Sequence, residues 1–187
     1  MRSRPWGPPV TAELEPDADP EQVARTILLR KLTAAPRTRA QLRDDLVGRG
    51  IPEDVADRVL DRFTDVGLID DGAYARVWVE SRHRSRGSAR SVLRQELRHK
   101  GVDAALVEDA LADLDADSER ARAAELVRVK ARSLSRLEPQ ARVRRLVGML
   151  QRRGYSSSVA YSVVREVLPG VTEQWDGDSM SQPDEST

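Results

Sequence analysis

The sequence predicts an all-α protein: an elongated tandem array of three three-helix repeats, each with helix-turn-helix-like units. Three observations lead there. The stretches LRDDLVGRGIPEDVADRV from Leu42, LRQELRHKGVDAALVEDA from Leu93 and LVGMLQRRGYSSSVAYSV from Leu146 share one ungapped pattern, Leu-x3-Leu-x3-Gly followed by apolar residues at every fourth position. No segment sustains the period-two alternation of a half-buried strand. Ala, Leu, Val and Arg dominate, and aromatic residues make up only 4% of the chain, which favours helices around thin aliphatic cores.

The repeated unit reads as two helices joined at a glycine. Leucines at i and i+4 put one apolar stripe on the first helix. Gly50, Gly101 or Gly154 then takes the left-handed conformation that ends it. Ile51, Val102 or Tyr155 packs back over the joint, and Val55/Val59, Leu106/Ala110 or Val159/Val163 face the first helix from the second. Another amphipathic helix precedes each pair. The first opens at Asp19 as N-cap with Pro20 at N1 and Gln22 in capping-box position, and Thr38 with Gln41 offers a box for the next. The second copy opens near Ala73 with Tyr74 and Trp78 at i, i+4, and the third near Ser118, with Pro139 starting its middle helix. Gly148 lies inside that helix, at about 1 kcal/mol relative to Ala. The expected organisation is a disordered tail 1–20, repeats over 21–71, 72–117 and 118–170, and an acidic disordered tail 171–187.

Charge is partitioned. The 187 residues hold 31 bases and 31 acids. Residues 1–20 and 171–187 are acidic, however, so the body 21–170 has a surplus of bases, the layout of many polyanion binders. Arg58 and Arg62 of the first copy have acids at helical spacing (Asp54, Asp61, Asp65) and read as exposed ion pairs. Arg90, Arg94 and Arg98 repeat every four residues with no acid at i±3 or i±4, and Arg82, Arg84 and Arg86 lead into the same helix, which ends at Lys100. Arg142, Arg144, Arg145, Arg152, Arg153 and Arg165 lie in a second acid-free stretch. Like charges at such spacing repel, so an external carboxylate or phosphate is the expected counter-ion. The alternative is a solvated face neutralised by distant acids such as the run Glu108–Asp117.

No enzyme is expected, and no cofactor. Cysteine is absent, and His83 and His99, the only histidines, read as surface residues. Asp113-x-Asp115-x-Asp117 lacks the glycine and glutamate of a calcium loop. No Gly-rich phosphate loop occurs. Without a signal-peptide core, a membrane-length apolar run or cysteine, the expectation is a soluble cytoplasmic protein.

The run DDGAYARVWVESRHRSRGSARSVLRQELRHKGV, residues 70–102, closely resembles the central signature of the RecX family of recombinase regulators. The matching features are the acidic turn before an aromatic helix, Arg82, the Arg86-Gly87 pair and the ending at Lys100-Gly101, and the resemblance extends over about 22–170. It implies a monomeric crescent of three-helix repeats that binds the RecA recombinase and its filament on single-stranded DNA, limiting strand exchange, ATPase and coprotease activity. The residues expected to meet RecA or DNA are Arg82, Arg84, Arg86, Arg90, Arg94, Arg98, Lys100, Arg142, Arg144, Arg145, Arg152 and Arg153. One rival is a winged-helix transcription regulator, although the helix that would enter DNA carries five acids. Another is a protein scaffold that touches no nucleic acid.

Overall fold

The structure, a computed structural model, describes residues 19–170, so the expectations for the two tails lie outside the described residues. The described residues form nine helices and no strand. The chain divides between Asp70 and Asp71 into two compact units.

The first unit holds α1 (Pro20–Ala34), α2 (Arg39–Val47) and α3 (Glu53–Asp65). Asp19 caps α1 by accepting from Glu21 N at 3.1 Å. Gln22 does not complete a box there, because its Oε1 accepts from Arg25 Nη1 instead. Thr38 and Gln41 do form the reciprocal box that opens α2, at 3.2 and 3.3 Å, with Thr38 fully buried. Ala24, Leu28, Leu42, Leu46, Ile51, Ala56, Val59, Leu60, Phe63 and Ile69 make the core. Around it many of the charges pair within the unit. Asp54 pairs with Arg58 at 2.8 Å, but Arg62 bonds Glu21 of α1 rather than Asp65, and Arg39 of α2 takes Asp61. Helices packed side by side bring in partners that spacing along one helix does not reveal.

The second unit holds α4 (Asp71–Arg86), α5 (Arg90–His99), α6 (Ala104–Ala110), α7 (Ala116–Ser133), α8 (Pro139–Gln151) and α9 (Ser157–Val167). One core contains Ala75, Val79, Leu93, Leu97, Val102, Val107, Ala110, Leu111 and Leu114. A second gathers residues from α7, α8 and α9, among them Ala123, Val127, Val143, Leu146, Leu150, Tyr155, Ala160 and Val163, together with Ala89 from the α4–α5 connection. The third repeat opens at Asp115, whose carboxylate accepts from Ser118 N at 2.7 Å. α8 runs unbroken through Gly148, where a Cβ would come within 3.3 Å of Arg152 Nη1.

The three helix–glycine–helix joints close alike. Gly50, Gly101 and Gly154 have φ of 81°, 75° and 90°. The next residue donates to the carbonyl of the second stripe leucine: Ile51 to Leu46, Val102 to Leu97 and Tyr155 to Leu150, at 3.1–3.2 Å. This is the six-to-one bond of a Schellman ending. The stripe leucines Leu42, Leu46, Leu93, Leu97, Leu146 and Leu150 are all fully buried.

On the second helix of each pair the later expected residue, Val59, Ala110 or Val163, is buried, and the earlier one is not. Ala56/Leu60, Val107/Leu111 and Ala160/Val164 are buried, with Val59, Ala110 and Val163. Val55 and Val159 are at the margin, and Leu106 is exposed. The left-handed glycine turns the chain before the second helix starts, so a count of four residues from the joint does not find its inner face.

Candidate partner-binding surface of the second and third repeats

The basic run between α4 and α5 is built on an aromatic pair. Tyr74 and Trp78, one turn apart on α4, stack with ring centroids 5.9 Å apart and are half-buried against the core below. The Trp78 indole donates to Glu96 Oε2 of α5 at 2.7 Å. Arg82 Cζ lies 4.2 Å and Lys100 Nζ 4.1 Å from the centre of the same ring. The cations are thus held by the ring quadrupole, which fixes their position. The fold joins ring and cations because one turn of α4 and the end of α5 share a face.

The stripe on α5 is less open than its spacing implies. Glu108, at the middle of α6, receives Arg94 Nε at 2.6 Å and Nη2 at 2.9 Å, a two-pronged pair, and Arg90 Nη2 at 3.3 Å. Arg90 also donates to the Leu111 and Leu114 carbonyls at 3.0 and 3.2 Å, satisfying the end of α6. Hydrogen bonds from Arg94 and then Arg90 hold the Glu108 carboxyl down at about 2, and the Arg94 guanidinium is raised by the same contact. Arg90 and Arg94 therefore have an internal counter-ion, 18 and 14 residues away in sequence. This corrects the expectation that they await an external one. Arg98, one turn beyond Arg94, is exposed, with no ion pair among the described residues.

Arg86 and Gly87 form a joint between the second and third repeats. Gly87 has φ of 63°, and a Cβ on it would overlap Leu126 of α7. Ala89 N–H donates to Arg153 O at 2.8 Å, Ser91 Oγ donates to Gly154 O at 2.6 Å, and Arg153 Nε donates to Arg86 O at 2.9 Å. Arg122 of α7 donates to the Arg84 carbonyl, and Glu119 accepts from Arg90 N at 2.6 Å. The Gly154 Cα lies so close to α5 that a Cβ would come within 2.5 Å of Val92 Cγ2. Arg153 is thus a structural residue of the joint, also bonding Met149 O, while the Arg86 side chain stays exposed. His83 places Nδ1 3.1 Å from Ser88 O, inside the same turn.

The remaining expected residues sort quickly. Arg84 pairs with Glu80 one turn back. Arg142 reaches from α8 to the Ala131 carbonyl at 3.3 Å. Arg144, Arg145 and Arg152 are exposed and make no ion pair among the described residues. A cleft of about 480 Å³ beside α4 is lined by Arg76, Glu80, Arg84 and Arg122 over Val79 and Leu114, but its guanidinium groups already meet Asp109, Glu80 and Glu125. Tyr155 packs under the joint with a buried, unpartnered hydroxyl, and burial, with Glu119 nearby, pushes it up to about 12. Among the described residues no group of His, Cys, Asp or Glu is arranged to hold a metal ion, and no helix is long and apolar enough to cross a membrane.

Three-helix repeats in tandem, the second and third of them locked at a glycine joint, define an all-helical repeat protein. Models of the first, second and third three-helix domains of RecX match residues 24–63, 70–111 and 117–164. The chain belongs to the RecX family. It is 53% identical over 154 residues to the regulatory protein RecX of Streptomyces lividans, covering 82% of each chain. It is also 53% identical over 158 residues to that of Mycobacterium ulcerans, covering 84% of this chain and 89% of the relative. The crystal structure of RecX from Lactobacillus salivarius has the same fold, with a TM-score of 0.71 and 23% identity over 80% of this chain and 97% of that one.

Proposed function

We propose that this RecX protein regulates the RecA recombinase by lying on its filament on single-stranded DNA and limiting strand exchange, ATP turnover and coprotease activity. The observation that carries this reading is the second unit's locked pair of repeats. Arg86 and Arg98 of one repeat and Arg144, Arg145 and Arg152 of the next are exposed without ion pairs among the described residues, on elements joined by the bond from Ala89 N–H to Arg153 O and by the Ser91 hydroxyl on Gly154 O. Such a fixed array of positive charge suits an acidic filament surface and phosphate. Arg82 and Lys100 belong to it, held on Trp78. Arg90, Arg94 and Arg153 support it from beneath.

The winged-helix reading finds no wing, since the described residues hold no strand. The would-be recognition helix α3 carries Glu53, Asp54, Asp57, Asp61 and Asp65, which DNA would repel. The test is titration of the whole protein into preformed RecA filaments on single-stranded DNA, reading ATP turnover and filament length together. Turnover falls and filaments shorten or stop growing if the reading is right. Unchanged turnover and length at saturating protein overturn it.

A further inference from the structure

The cleft of about 480 Å³ between α4, α6 and the start of α7 has two kinds of wall. Val79, Ala110 and Leu114, buried but for a few per cent of their surface, form an apolar floor. Arg76, Arg84 and Arg122 stand at its edge. The pairs that Arg76 and Arg84 make with Asp109 and Glu80 are exposed on both sides, and exposed pairs give way easily to a competing carboxylate. Asp113, also on the cleft, makes no ion pair among the described residues. An apolar floor inside a guanidinium edge suits an aromatic anchor flanked by acids.

The chain leaves this unit close by. Arg120, in the second turn of α7, bonds Ser162 Oγ at 2.9 Å and Glu166 Oε2 at 2.6 Å on α9. The end of α9 therefore lies beside the start of α7, and Gly170 is four residues past Glu166. Asp113 and Leu114 of the cleft come immediately before Asp115, the N-cap of α7. Beyond the described residues follows VTEQWDGDSMSQPDEST, residues 171–187, with one tryptophan, five acids and no base.

We infer that the cleft receives Trp175 of this same chain, with Asp176 and Asp178 beside Arg76 and Arg84. The ring covers Val79 and Leu114, and Asp113 is placed to accept from its Nε1–H, as Glu96 accepts from Trp78 at 2.7 Å. Arg120 and Arg122 face opposite sides of α7, one bonding α9 and the other the end of α4. The segment must then round the start of a helix about 10–12 Å across. Five residues from Gly170 span at most about 18 Å, which is enough. Asp115, Asp117 and Glu119 make that corner acidic, and the segment enters it with Gly170, Val171 and Thr172, which carry no charge. A tether this short holds the ring at roughly millimolar effective concentration, so a contact too weak to persist between separate molecules is populated within one.

This contact lies within one chain and stands or falls apart from any action on RecA filaments. The test is solution NMR of the whole labelled protein at low and at high concentration. Nuclear Overhauser effects are expected from the Trp175 ring to the methyl groups of Val79 and Leu114, with a Trp175 backbone order parameter of about 0.85, the value of ordered backbone. The double variant Arg76→Glu, Arg84→Glu is expected to remove the ring contacts and lower the order parameter below about 0.6, with melting curves confirming that it folds. Trp175→Ala, which leaves every described residue in place, is expected to move the Val79, Ala110 and Leu114 signals.

A wild-type order parameter below about 0.6, or ring contacts only to residues outside the cleft, overturns the inference. Contacts that appear only at high concentration place the segment of a second copy in the cleft and overturn it as well. So do ring contacts that survive the charge reversal in a folded variant, and cleft signals that Trp175→Ala leaves unmoved. Should the charge reversal unfold the protein, the Trp175→Ala comparison decides alone.

Discussion

Replacing Gly87 with alanine introduces two separate strains into the α4–α5 joint. The first is conformational. At φ of 63° an L side chain costs about 1–2 kcal/mol. The second is steric. The new Cβ overlaps Leu126 Cδ1 and lies 3.2 Å from both Cγ and Cδ2, so the whole leucine must swing within a packed interface, at about 1–3 kcal/mol. Gly50 supplies the comparison, because its φ is 81° but a Cβ there meets nothing within 4 Å. Gly50→Ala should therefore cost only the conformational part and Gly87→Ala about 3 kcal/mol.

Urea unfolding followed by far-UV circular dichroism measures both. A double-mutant cycle with Leu126→Ala isolates the clash, since removing the leucine spares the alanine its neighbour. Gly87→Ala with Leu126→Ala should be less destabilised than the sum of the single variants by at least about 1 kcal/mol. Additive energies, or equal costs at Gly87 and Gly50, would refute the assignment of Gly87 to a close-packed joint.

Glu108 makes the second unit sensitive to acid. Its carboxyl titrates at about 2 when folded against an ordinary 4.5, so its contribution to stability is present above about 4.5 and is lost as pH falls toward 2. Glu108→Gln should flatten the dependence of melting temperature on pH across that window, and carbon-detected NMR titration of the wild type should place the Glu108 midpoint near 2. At Tyr155 the opposite economy applies. The hydroxyl is buried without a partner, so Tyr155→Phe loses no hydrogen bond and should be neutral or stabilising by up to about 1 kcal/mol in thermal unfolding. Absorbance at alkaline pH should show the wild-type phenol ionising near 12, above ordinary tyrosine.

What could be read from the sequence is what local spacing controls. The stripe leucines, the left-handed Gly50, Gly101 and Gly154, the Thr38 box and Pro139 at the start of α8 all follow from rules that act within a turn or two of helix. The errors come from the same horizon. Arg90 and Arg94 looked uncompensated because Glu108 is carried in by a neighbouring helix. Spacing along the chain does not link Trp78 to Lys100, 22 residues on, which the α4–α5 packing lays against its ring. Val55, Leu106 and Val159 were assigned inward because the turn imposed by each glycine comes before the next helix starts, and a count from the joint does not find its inner face.

The joint at Gly87 has a further consequence for how such a protein tolerates change. Three bonds close it, one main chain to main chain, Ala89 N–H to Arg153 O, and two in which Ser91 Oγ and Arg153 Nε donate to the carbonyls of Gly154 and Arg86. The attachment asks for only Ser91 and Arg153 among these side chains, so the exposed ones on either side can drift without loosening it. α5 and α8 then behave like two combs cut on one plate. A partner meets spacings dictated by the plate, while the chemistry of individual teeth stays adjustable, and affinity can be tuned tooth by tooth without refitting the whole surface.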